Sequence, residues 1–79
     1  MTDHFTVGWA ALALRYPDIR PYRTKAHGVR DLCEAYGEAV AFRDSLRRFG
    51  DPSGILEEYE IYCRELEADI LSHLSSMLP

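Results

Sequence analysis

Hydrophobic positions along the chain fall into three helical stripes, separated by prolines and glycines. Phe5, Trp9, Leu12 and Tyr16 recur at spacings of four, three and four, which is one face of a helix. Thr2 or Asp3 is its candidate N-cap, and Pro17 disfavours helical backbone at Tyr16. The first helix is therefore predicted over about residues 3–16. Val29, Leu32, Tyr36, Ala39, Arg43 and Leu46 alternate spacings of three and four, a coiled-coil-like seam in which Arg43 is the one polar member. Phe42 sits beside that seam and widens it. This second helix is predicted over about 25–49, beginning at Thr24 or one turn later at Gly28 and ending on Gly50 in left-handed geometry. Leu56, Tyr59, Cys63, Leu66, Ile70, Leu74 and Met77 mark a third helix over about 52–77, with Asp51 as N-cap and Pro52 in the first helical position.

The link Gly50-Asp51-Pro52-Ser53-Gly54 is short, so the second and third helices are expected to pair antiparallel. Folding near residue 52 sets Phe49 against Ile55, Leu46 against Tyr59, Val40 against Cys63, Tyr36 against Leu66 or Cys63, Cys33 against Ile70 and Val29 against Leu74. It also sets Arg43, Arg47 and Arg48 opposite Glu57, Glu58 and Glu60. The expected fold is all-α: an antiparallel helical hairpin plus a short N-terminal helix, in one domain over residues 1–79. Ile19 and Tyr22 are expected to pin the connector Pro17–Thr24 to the hairpin. Gly37, inside the second helix, costs roughly 1 kcal/mol relative to Ala and would permit close backbone approach. Each long helix reaches roughly 33–38 Å at 1.5 Å per residue, whereas the first reaches only about 15–20 Å. One part of the hairpin's apolar surface is thus left open, and a second copy of the chain is the expected cover.

Composition narrows the class further. With 47% apolar and 28% charged residues the chain reads as globular rather than disordered. The net charge of −4 is uneven: residues 1–50 carry eight basic and six acidic groups, and residues 51–79 one basic and seven acidic. That imbalance disfavours nucleic-acid binding over the whole surface but permits a local basic patch over 15–30. The start lacks a basic leader, and the apolar run Trp9–Leu14 is too short for a signal core or a membrane span. A cytoplasmic protein with free thiols and no membrane association is expected.

The order Leu14-Arg-Tyr-Pro17, Asp31-Leu-Cys-Glu-Ala-Tyr36-Gly-Glu, Arg47-Arg with a Pro-Ser loop, and Glu65-Leu-Glu-Ala-Asp-Ile-Leu71 resembles the YdcH-like family of small bacterial proteins. The resemblance covers roughly residues 12–78 and implies a small, self-associating helical hairpin without catalytic residues. Two features depart from the family's usual pattern: Arg20-Pro21 interrupts a stretch that is normally helical, and Phe5–Leu12 is unusually aromatic.

Candidate chemistry is sparse. His27 with Asp31 and His73 with Asp69 are each spaced one helical turn apart and would meet at the open end of the hairpin, where two His/Asp pairs are a conceivable zinc set. They lie off the apolar seam, which favours solvated helix-end residues and no metal. Cys33 and Cys63 fall about 10 Å apart along the hairpin axis, too far for a disulfide that needs Cα atoms within about 7 Å. Glu57, Glu58, Glu60, Glu65, Glu67 and Asp69 read as a solvated helix face, since no Glu-x-x-His accompanies them. Arg15, Arg20, Arg23, Lys25 and Arg30, with Tyr16 and Tyr22 interleaved, are the candidate contact for an anion or nucleic acid. Phe5, Trp9, Leu12, Tyr16, Tyr36, Phe42, Tyr59 and Tyr62 are the candidate partner or oligomer interface. The expected role is therefore non-enzymatic: protein–protein interaction through a homo-oligomer, with no cofactor. The alternative is a nucleic-acid-associated accessory protein using the basic connector.

Overall fold

The computed structural model describes residues 3–77 and, within them, every side chain except those of His27 and Met77. Asp3 opens the first helix. Its carboxylate accepts a hydrogen bond from the Thr6 backbone N–H at 2.7 Å, and α1 runs His4–Arg15. That bond holds the Asp3 carboxyl below its ordinary range. Thr2, the other candidate cap, lies outside the described residues. The helix stops where Pro17 requires: Tyr16 leaves helical geometry at φ −130° and ψ 76° while its N–H still reaches the Leu12 carbonyl.

Pro17–Val29 is wound in 3₁₀ turns, and α2 begins only at Arg30, running Arg30–Phe49. This corrects the predicted start near residue 25. Pro21 interrupts the backbone hydrogen bonding that an α-helix would need. Thr24 does not cap; the residue before α2 is Val29, which supplies no side-chain bond. The segment instead follows its own apolar stripe. Ile19, Ala26 and Val29 are buried and Tyr22 half-buried, so the connector is pinned to the core as expected.

α3 runs Leu56–Met77, four residues short of the predicted start. Asp51 does serve the helix, but from the loop. Its two carboxylate oxygens accept from the N–H groups of Ile55 at 2.9 Å and Leu56 at 3.0 Å. Gly54, at φ 69°, turns the chain once more before the first helical bond, from the Tyr59 N–H to the Ile55 carbonyl. Pro52 therefore lies in the loop. Gly50 ends α2 at φ 105° and ψ 163°: positive φ, as expected of a terminal glycine, but extended rather than left-handed helical.

The packing of α1 on α2 is the tightest in the molecule, because both helices carry a glycine at the crossing. A methyl group on Gly8 would strike the Cys33 carbonyl oxygen and stand 2.9 Å from the Gly37 nitrogen. One on Gly37 would strike the His4 carbonyl oxygen and stand 3.0 Å from the Gly8 nitrogen. Gly37 thus has a packing partner, Gly8, and the two main chains touch.

α2 and α3 form the antiparallel hairpin. The Tyr36 hydroxyl meets Glu67 at 2.7 Å, the Phe42 and Tyr59 rings stack with centroids 4.6 Å apart, and Arg47 pairs with Glu60 at 2.8 Å. All three fit a fold about residue 52. α1 and the 3₁₀ segment cover only part of it. The buried hairpin residues lie over 33–40 of α2 and 63–74 of α3. Toward the loop, Phe42, Phe49, Ile61 and Tyr62 are exposed; Phe49, expected against Ile55, is 80% exposed. The fold is all-α, with no strand among the described residues.

Candidate functional site

Two places in the molecule concentrate polar and aromatic groups. The first is a buried knot on α3. Glu67 is only 3% exposed, although it was expected on a solvated face. Its position explains the difference: Cys63, Glu67, Ile70 and Leu74 follow spacings of four, three and four, so Glu67 occupies a core stripe. One carboxylate oxygen accepts from the Tyr36 hydroxyl at 2.7 Å and from the Arg15 guanidinium at 3.1 Å. The other accepts from the Tyr16 hydroxyl at 3.4 Å. The end of α1, the middle of α2 and the middle of α3 are thereby tied at one residue. A buried carboxylate is tolerated only with such partners.

The surroundings of the knot are equally dry. Burial, reinforced by Glu34, pushes the Cys33 thiol up to about 11. Burial also raises the Cys63 thiol, with Arg43 opposing, and raises the Tyr36 phenol, whose proton is further held by Glu67. Both cysteines are free and fully buried. High thiol pKa and burial are the opposite of what a nucleophilic or redox-sensing cysteine needs. The knot fastens helices.

The second place is the uncovered side of the hairpin. Ala35 and Ala39 of α2 form the floor of a notch of about 320 Å³, and Phe42, Tyr59, Tyr62 and Glu38 form its walls. Tyr59 meets the Tyr62 ring edge-on at 6.2 Å, so the three rings form one cluster with Phe42. The two alanines make the notch, since larger residues at those positions would fill it. Phe42 and Tyr62 are 43% and 44% exposed.

The eight candidate interface residues therefore divide. Phe5, Trp9, Leu12 and Tyr36 are buried in the chain's own core, and Tyr16 is half-buried and committed to Glu67. Their stripe on α1 faces α2 and the 3₁₀ segment, so in this fold they offer no surface to a partner. Phe42 and Tyr62 remain exposed, joined by Tyr59, which is half-buried against the core.

The basic candidates also divide. Arg15 is bound to Glu67, and Arg30 pairs with Glu34 at 2.9 Å. The guanidiniums of Arg23 and Arg30 lie over the buried Phe5 ring, 5.6 and 5.1 Å from its centroid. Neither tyrosine is a free stacking platform: Tyr16 belongs to the knot and Tyr22 is half-buried. Arg20 and Lys25 remain exposed with no ion pair among the described residues, and two such cations are a small footprint for nucleic acid. His73 is exposed, its Nδ1 2.8 Å from the Asp69 carbonyl oxygen, and lines a surface groove with residues 28–32. The His27 side chain lies outside the described residues. Among those described, no group of three or more His, Cys, Asp or Glu is placed to hold a metal ion. No described helix is long and apolar enough to cross a membrane.

No family model, curated protein or solved structure matches this chain. The YdcH-like resemblance accordingly rests on the residues quoted for it, and the reading of function rests on the surface just described.

Proposed function

We propose that this chain is a non-enzymatic protein-binding module whose contact surface is the uncovered side of the α2–α3 hairpin. The observation that carries the reading is the Phe42–Tyr59–Tyr62 cluster around the Ala35/Ala39 notch. Aromatic anchors beside a small-residue floor are the surface type on which protein-binding energy concentrates. Tyr59 and Ala35 pack against the core, while Phe42 and Tyr62 stay exposed beside them. Two copies meeting by this side is the pairing the sequence leads one to expect; the acidic charge along its border favours another occupant. The nucleic-acid reading loses most of its supports, because Arg15, Arg23, Arg30 and Tyr16 are engaged within the chain.

The test is comparative capture with the full chain from cells that express it. A Phe42→Ser/Tyr62→Ser variant should lose proteins that the wild type retains, and an Arg20→Ala/Lys25→Ala variant should keep them. Recovery of the same proteins by wild type and the aromatic variant would overturn the reading. So would recovery of nucleic acid that disappears with Arg20 and Lys25.

A further inference from the structure

The border of the uncovered side has one sign of charge. On α2, Asp31, Ala35, Glu38, Phe42 and Ser45 follow spacings of four, three, four and three, so they form one line along the outer edge of the notch. On α3, Glu58, Tyr62, Glu65 and Asp69 follow four, three and four and form the facing line. All five of these carboxylates are exposed, and neither line contains a Lys or Arg. The base paired with them among the described residues is the His4 imidazole, 3.7 Å from Glu38. Glu58, Glu65 and Asp69 make no ion pair among the described residues.

Arg43, Arg47 and Arg48 are engaged away from this border. Arg47 reaches Glu60, which lies about 200° round α3 from Tyr62 at 100° per residue. Arg43 is half-buried, close enough to oppose the rise in the Tyr36 and Cys63 pKa values. Arg48 lines a separate groove with Ala41 and Asp44. Arg64, exposed on α3, lies about 200° round that helix from Tyr62. Apart from Glu38 beside His4, the border carboxylates form no ion pair among the described residues.

From this combination we infer that the uncovered side receives a basic amphipathic helix of a protein partner: apolar anchors enter the Ala35/Ala39 notch while flanking Lys or Arg side chains meet Glu38, Glu58, Glu65 and Asp69. The inference rests on the protein-binding reading above and adds the chemistry of the partner. A helix laid along two antiparallel helices presents anchors at i, i+3, i+4 and i+7 and flanks on both edges, which matches an apolar floor between two acidic lines. A second copy docking by the same side would set acidic border against acidic border, an arrangement that costs affinity. An anionic membrane surface or nucleic acid is repelled by the same carboxylates.

The test uses synthetic helical peptides of about 18 residues, roughly five turns. They share one apolar stripe and differ only in their flanks: Lys, Gln or Glu. Binding to the full chain is followed by fluorescence anisotropy. The Lys-flanked peptide should bind tightest and the Glu-flanked one weakest. Raising salt from about 50 to 500 mM should weaken the Lys-flanked peptide roughly tenfold. A Glu58→Lys/Glu65→Lys/Asp69→Lys variant should reverse the order of the Lys and Glu peptides. A helical circular-dichroism signal equal to wild type shows that this variant is folded. Equal binding of all three peptides, or tighter binding of the Glu-flanked one, overturns the inference. So does a dimer in sedimentation that Phe42→Ser dissolves, since a second copy then holds the surface. If captured proteins depend on Phe42 and Tyr62 but the Lys-flanked peptide has no advantage, the partner's chemistry alone is wrong. If neither depends on the aromatic cluster, the protein-binding reading falls with it.

Discussion

The two halves of this molecule use similar residues for different ends. In the closed half, Phe5, Trp9 and Tyr36 are buried, two glycines bring main chains into contact, and one carboxylate fastens three helices. In the open half, Phe42, Tyr59 and Tyr62 also cluster, but Phe42 and Tyr62 stay exposed, bordered by exposed carboxylates. The difference is not in residue type. It lies in whether another element of the chain covers the face. α1 is 12 residues long against 20 and 22 for its neighbours, so one side and one end of the hairpin are left over. Aromatic content alone therefore does not identify an interaction surface; what identifies it is aromatic content that the fold leaves uncovered.

The comparison breaks most directly at the glycine crossing. Gly→Ala in an exposed helix normally gains about 1 kcal/mol. At Gly8 the added methyl meets the Cys33 carbonyl oxygen, so Gly8→Ala should instead cost about 3 kcal/mol, at the top of the usual overpacking range. Urea unfolding of this variant checks the sign as well as the size. Next comes the knot. Glu67→Ala leaves the buried Tyr36 hydroxyl without its acceptor, and the expected loss is about 2–3 kcal/mol. Glu67→Gln keeps an acceptor and should lose less, which separates the hydrogen bond from the charge.

Alkaline titration sharpens the same contrast. The Cys33 thiol is raised from its ordinary 9.0 to about 11, so above pH 9 the unfolded chain releases a proton that the folded chain keeps. Stability is full below about pH 9 and falls as pH rises toward 11, with Cys63 and Tyr36 adding in the same direction. Denaturant midpoints at pH 8, 9.5 and 10.5 should decline in that order, and Cys33→Ala should flatten the decline. The smallest effect is expected in the loop: Asp51→Ala removes the acceptor for two N–H groups at the start of α3 and should cost about 1 kcal/mol.

Much of this architecture was legible in the chain. The apolar stripes, the Pro17 stop, the Gly50 terminus and the antiparallel hairpin follow from local rules, whereas the layer-by-layer register does not: Phe49 is exposed and Tyr59 stacks on Phe42 rather than meeting Leu46 alone. Asp51 as a cap was legible too, but not the extra turn through Gly54 that moves the helix start. Glu67 was missed because acidic runs on helices usually face water; its place at a core spacing from Cys63 and Ile70 was the available signal. Gly8 was missed because a glycine at a helix crossing has no periodicity of its own and takes its meaning from a partner 29 residues away. The basic connector over-promised. Whether an arginine is free depends on which carboxylate or ring the fold brings to it, and Glu67 and Phe5 lie far from Arg15 and Arg30 in sequence.

The division between halves is tested most directly by one pair of substitutions in one urea-unfolding experiment, Trp9→Ala and Phe42→Ala. Trp9 is 5% exposed and Phe42 is 43% exposed. Trp9→Ala should lower stability by about 3–5 kcal/mol, as for a large aromatic removed from a core. Phe42→Ala should lower it by no more than about 1 kcal/mol. Equal losses, or a larger loss at Phe42, would mean that the uncovered side holds the fold together and is not a surface kept free for a partner.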